Sequence, residues 1–126
     1  MRGAFVVSEG TGLYAQIERI LVECGARASS DSVVQIDDGN SPFTVFGDIG
    51  IGLSEVRMGA TAVRPGSRVP PDMRTVDMCW AECRAKEVFV QWIRTIAQRR
   101  DCPTWVLDGD GVLWEALVID AETLTL

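Results

Sequence analysis

Two carboxylates one residue apart, each followed by glycine, sit between apolar runs in W-V-L-D-G-D-G-V-L-W, residues 105–114. An aspartate pair at the end of a strand can act as nucleophile and general acid/base, or can ligate a divalent cation. Further acids fall at Asp37, Asp38 and Asp48. The cysteines Cys24, Cys79, Cys83 and Cys102 are the other chemistry-bearing group, but Cys79 and Cys83 are spaced C-x3-C and no second close pair accompanies them. That is not the C-x2-C knuckle of a zinc ribbon, so no metal is expected, and reduced thiols acting as small hydrophobes are. Histidine is absent from all 126 residues. Its absence excludes a His general base, a His-containing triad and a His-ligated zinc site.

Two phosphate- or cation-binding patterns come close and fail. Counted from Asp108 as an EF-hand loop, the fifth position is Val112 and the twelfth Ile119, where oxygen ligands are needed. Gly10-Thr11-Gly12 with Ala15 matches a relaxed dinucleotide fingerprint, and Asp37 falls about where a ribose-binding acid would. The hairpin that follows breaks the strand–helix–strand alternation such a fold requires. No cofactor is expected.

The elements that would position these residues can be read from periodicity. Residues 2–8 predict a strand, and Thr11-Gly12 offers a cap for a helix whose stripe is Leu13, Ile17, Ile20, Leu21 and Cys24, ended by Gly25. Ser32–Asp37 and Phe43–Asp48 flank Asp38-Gly39-Asn40-Ser41-Pro42, which predicts a hairpin. Residues 55–63 partly alternate and read as a further strand, followed by a Pro- and Gly-rich segment over 64–73. Thr75–Cys83 alternates as a strand, and residues 86–99 carry the stripe Phe89, Trp92, Ile93, Ile96 and Ala97 of a second helix. Thr104–Leu107 and Val112–Val118 predict a terminal hairpin about the D-G-D-G turn, with Trp105 and Trp114 placed to pair across it; Glu122–Leu126 could add a last strand. The expectation is a single α+β domain over 1–126: a two-layer sandwich, mostly antiparallel, with two amphipathic helices on one face, in the order β-α-β-β-(β)-β-α-β-β.

Charge is unevenly distributed. The net −6 divides into −5 over residues 1–56, +5 over 57–100 and −6 over 101–126. The overall balance disfavours binding to nucleic acid. The N-terminus does not read as a signal peptide, and no apolar stretch approaches a membrane span, so a cytoplasmic protein without membrane attachment is expected. The two hairpins suggest an acidic face built from Asp37, Asp38 and Asp48 together with Asp108, Asp110 and Glu115, suited to a basic protein partner.

Two families are approached by particular residues. The stretch W-V-L-D-G-D-G-V-L-W resembles the opening signature of haloacid-dehalogenase-type phosphatases, which would make Asp108 the nucleophile and Asp110 the acid/base, with magnesium bound. That family's later motifs lie far downstream, whereas 12 residues follow Trp114 here, so a phosphatase domain is not expected. Residues 78–126, with M-C-W-A-E-C-R-A-K-E-V-F-V-Q-W-I-R-T-I-A, P-T-W-V-L-D-G-D-G-V-L-W-E-A and a closing I-D-A-E-T-L-T-L, resemble small immunity-type proteins of bacterial polymorphic toxin systems. The resemblance implies a non-catalytic cytoplasmic inhibitor that binds a cognate toxin domain and occludes its active site. Two other readings stay open: a homodimeric structural or regulatory domain, and a small enzyme using carboxylates alone, such as Asp37, Asp38 or Asp108.

Overall fold

The run G-A-F-V-V-S-E forms β1 (Gly3–Glu9), and the helical stripe that follows forms α1 (Leu13–Glu23), which buries Leu13, Ile17, Ile20 and Leu21. Then come β2 (Arg27–Ser29), β3 (Val33–Ile36), β4 (Phe43–Phe46), β5 (Ala62–Val63), β6 (Val76–Glu82), α2 (Lys86–Arg99), β7 (Trp105–Leu107) and β8 (Val112–Glu115). The computed structural model describes residues 3–37, 39, 41–47, 62–63, 71–72 and 75–126. The strands make one sheet in the order β2-β3-β4-β6-β1-β7-β8-β5. Every pairing is antiparallel except that of β5 with β8, which is parallel. The result is the expected two-layer α+β sandwich.

The sheet centres on β1, whose seven residues pair with β6 from Gly3↔Glu82 to Glu9↔Val76, and whose other edge takes β7 at Phe5↔Leu107 through Val7↔Trp105. Alternation along the central strands sends Ala4, Val6, Cys79, Ala81 and Val106 toward the helices. There they meet Phe89, Ile93 and Ile96 of α2 and the buried stripe of α1, and Phe43 packs edge-on against Phe89 at a centroid separation of 5.8 Å. The alternate residues are no more polar. Val7, Val76, Met78, Trp105, Leu107 and Leu113 form a second buried cluster, with Phe5 against it, and Phe5 meets the Trp80 ring edge-on. The sheet is therefore apolar on both faces, a pattern commoner in sheets covered on two sides than in half-solvated antiparallel ones.

The two ends of α1 are fixed differently, the last turn by backbone geometry and the first by a distant side chain. Gly25, at φ +105°, lets the Gly25 and Ala26 amides donate back to Val22 O (3.0 Å) and Leu21 O (2.9 Å), the paired bonds of a Schellman stop. The start departs from expectation. Gly12 stands at the cap position with φ +78° and no side chain caps the helix locally. Instead Asp77 of β6, 64 residues away, accepts the Leu13 amide on Oδ2 (3.0 Å) and its neighbour Met78 on Oδ1 (2.9 Å). A carboxylate at this position also meets the positive end of the helix dipole.

Several other expectations are corrected. The polar strand β2 was not foreseen. Of the strand expected over 55–63, Ala62–Val63 is described and the rest lies outside the described residues. β8 stops at Glu115, and residues 116–118 turn into a 3-10 helix. The closing residues form no strand: Asp120 caps a turn by accepting the Glu122 amide (3.0 Å) and the Thr123 hydroxyl (3.2 Å), and the Leu124 amide reaches Asp120 O (3.0 Å). Trp105 and Trp114 do not pair. The register sets Trp105 opposite Glu115 and Val106 opposite Trp114, and that one-residue offset sends the two indoles to opposite faces. All four cysteines are free thiols; Cys79 and Cys83 are buried, Cys24 is half-buried and Cys102 is exposed.

Replacing Asp77 with Ala removes the distant cap and is expected to cost about 1–2 kcal/mol of stability in urea unfolding, with Asp77→Asn recovering part of it. Burial pushes the Cys79 thiol well above its usual range, with Asp77 adding to the effect. In iodoacetamide labelling followed by mass spectrometry, Cys102 should react first, Cys24 more slowly, and Cys79 and Cys83 only in denaturant.

Candidate functional site

The antiparallel register decides which ends of the strands meet. Ile36 of β3 lies opposite Phe43 of β4, Thr44 opposite Glu82 of β6, Gly3 of β1 opposite Glu82, and Leu107 of β7 opposite Phe5. The β3–β4 connection at Asp37 and the β7–β8 turn at 108–111 thus leave the same end of the sheet. β4, β6 and β1 stand between β3 and β7, which separates the two turns by roughly 19 Å at ordinary strand spacing.

Asp108 is the keystone of its turn. Its side chain is 7% exposed, and its Oδ1 accepts the amides of Asp110 (2.9 Å) and Val112 (3.0 Å). Its Oδ2 accepts the Trp114 indole N–H at 2.8 Å. The backbone closes around it: the Asp108 amide donates to Val112 O and the Gly111 amide to Asp108 O, with Gly111 at φ +77°. The residues after β8 return to this turn. The Gly109 amide donates to Thr125 O (2.8 Å), and the Thr125 hydroxyl donates to Asp110 Oδ2 (2.7 Å).

The proposed acidic residues divide on this geometry. Asp37 is exposed and holds its own turn by accepting the Gly39 amide at 2.9 Å, with Gly39 at φ +97°. Asp110 is exposed too, one oxygen engaged by Thr125. Asp108 is not a surface carboxylate, because three donors consume it inside the turn. Glu115 is 3% exposed and sits at the far end of β8, opposite Trp105 and near Arg100 and Thr104. Asp38 and Asp48 lie outside the described residues. At the same end as the two turns, β6 runs into Arg84 and Lys86, so acidic character belongs to the turns rather than to that whole end.

The Asp108 carboxylate is buried and turned to three donors within its own hairpin, which does not suit a nucleophile that must meet a substrate. Among the described residues, no group of three or more Cys, Asp or Glu side chains is gathered that could hold a metal ion. The Gly10–Gly12 segment, both glycines at positive φ, opens a helix behind an antiparallel strand, not within a parallel βαβ unit. Sequence reasoning missed Asp77, which looks like any polar residue in an alternating strand, and Arg100. That arginine donates from Nε to Gln16 Oε1 (3.0 Å) and from Nη1 to Thr104 Oγ1 (2.8 Å), bridging α1 and the entry to β7. Among the described residues, no helix is long and apolar enough to cross a membrane. No family model, curated protein or solved structure matches the chain.

Truncating Asp108 to Ala leaves three inward-facing donors unmatched, and a loss of about 3 kcal/mol is expected in chemical denaturation. Asp110→Ala removes a single exposed contact and should cost about 0.5 kcal/mol. Equal costs for the two would contradict the assignment of Asp108 to the turn and Asp110 to the surface.

Proposed function

We propose that this chain is a non-catalytic binding protein of the immunity type, which neutralises a bacterial toxin domain by laying its two acidic turns across a basic active-site cleft. The observation that carries the reading is the shared end of the β3–β4 and β7–β8 turns, each presenting an exposed aspartate, Asp37 and Asp110. Two exposed aspartates in turns roughly 19 Å apart on one sheet suit a cleft whose walls carry the arginines and lysines that a nucleic-acid-degrading domain needs. The chemistry of the turns supports binding more than catalysis. Asp108 holds three donors inside its own turn, and Asp37 and Asp110 belong to separate turns roughly 19 Å apart. Such a protein acts in the cytoplasm, where the toxin's target is.

The test uses the domain encoded in a neighbouring reading frame, which this reading requires to be toxin-like. Asp37→Lys combined with Asp110→Lys should slow association by about tenfold or more at low salt and flatten its salt dependence, measured by stopped-flow or surface plasmon resonance. Both residues are exposed, so the thermal unfolding midpoint should hardly move. An unchanged association rate would overturn the acidic-turn reading. A stable dimer in sedimentation, with no binding to the neighbouring domain, would favour the self-pairing alternative.

A further inference from the structure

The end of the sheet opposite the acidic turns carries a different kind of feature. There the start of α1 and the end of α2 leave a cleft of about 180 Å³, lined by Gln16, Arg19, Arg99, Arg100, Asp101 and Cys102. Three arginines, exposed Arg19 and Arg99 and half-buried Arg100, line it with a single carboxylate, in a protein whose net charge is −6. Arg99 and Arg100 follow from the need for cations at the C-terminal end of α2, whose partial negative charge they complement. That need does not account for Arg19, which comes from a different helix, nor for the burial of Arg100. The Arg100 guanidinium is half-buried and committed to two neutral oxygens, Gln16 Oε1 and Thr104 Oγ1. Burial lowers its pKa from the ordinary value, with Cys102, Cys79 and Asp77 countering only in part. Asp77 itself is taken up by the Leu13 and Met78 amides. A desolvated cation of this kind gains from a mobile counter-anion that can fill the cleft beside it.

We propose that this cleft binds a small oxyanion of the phosphate class, either free or as the terminal group of a phosphomonoester. Guanidinium forks match the geometry of phosphate oxygens and donate in pairs. The volume is below the roughly 300–1,000 Å³ of sites that enclose drug-sized ligands, so the cleft takes the anionic group and leaves the remainder of any ester outside. Arg19 and Arg99 reach the anion from the two helices. Arg100, already fixed by Gln16 and Thr104, forms the immobile back wall. The site lies away from the acidic turns and does not depend on what they bind.

The experiment is a titration of the full chain with inorganic phosphate and, separately, with phenyl phosphate, at constant ionic strength balanced by chloride, followed by amide NMR shifts of residues 16–20 and 99–102. Saturable shifts at millimolar or lower concentration are expected. Arg19→Gln and Arg99→Gln should each weaken binding about tenfold without changing the remaining spectrum. Neither side chain holds an internal hydrogen bond among the described residues. Binding of both probes makes the cleft a phosphomonoester site, and binding of inorganic phosphate alone makes it a free-anion site. The absence of saturable shifts with either probe, or affinity untouched by both substitutions, would overturn the proposal.

Discussion

The seven-pair ladder between β1 and β6 sets the position of nearly everything else. It places β1 in the middle of the sheet with β7 on its other edge, so the end at which β6 finishes, β1 begins and β7 finishes is one and the same. It also fixes which face each residue of β6 takes. Cys79 and Ala81 go to the helices, Met78 goes to the second apolar cluster, and Asp77 arrives beneath the first turn of α1. A slip of one residue would exchange the two sets, expose the Asp77 carboxylate on the wrong face and leave the Leu13 amide without its acceptor. The register is thus held from both faces, and by a polar bond as well as by packing.

Carboxylates in this protein divide into those that build and those that face outward. Asp77, Asp108 and Asp120 each accept more than one donor and hold a helix start, a hairpin turn and a closing turn. Asp37 and Asp110 each satisfy one donor and keep the rest of their charge in solvent. The distinction follows from backbone amides converging on some aspartates and not on others. It is invisible in a count of acids, which is why an uneven charge distribution alone over-assigned residues to the surface.

The helices, the β3–β4 hairpin and the β7–β8 hairpin were legible because each announces itself locally. The stripe from Leu13 to Leu21, the turn formers over 38–42 and the D-G-D-G tetrad all act over a few residues. What was not legible depends on distant partners. β2 is three exposed residues with no apolar alternation, and it exists because β3 offers an edge to pair with. The cap of α1 comes from another strand. The faces of Trp105 and Trp114 depend on a register that symmetry about the turn does not reveal, and the burial of Glu115 depends on where β8 ends. The exposed positions of Asp37 and Asp110 could be inferred from their turns, whereas the arginine cleft requires two helices to be brought side by side.

The central place of β1 has a kinetic consequence. This strand has both neighbours far downstream: Gly3 meets Glu82, and Phe5 meets Leu107. Until those segments exist, A-F-V-V is an apolar strand with two open edges, the kind of segment prone to pairing with other chains. Loop closure over such separations is slow, and the sheet's nucleus cannot assemble from local contacts. Folding should therefore proceed inward from the hairpins, with β1 inserted last between its two partners.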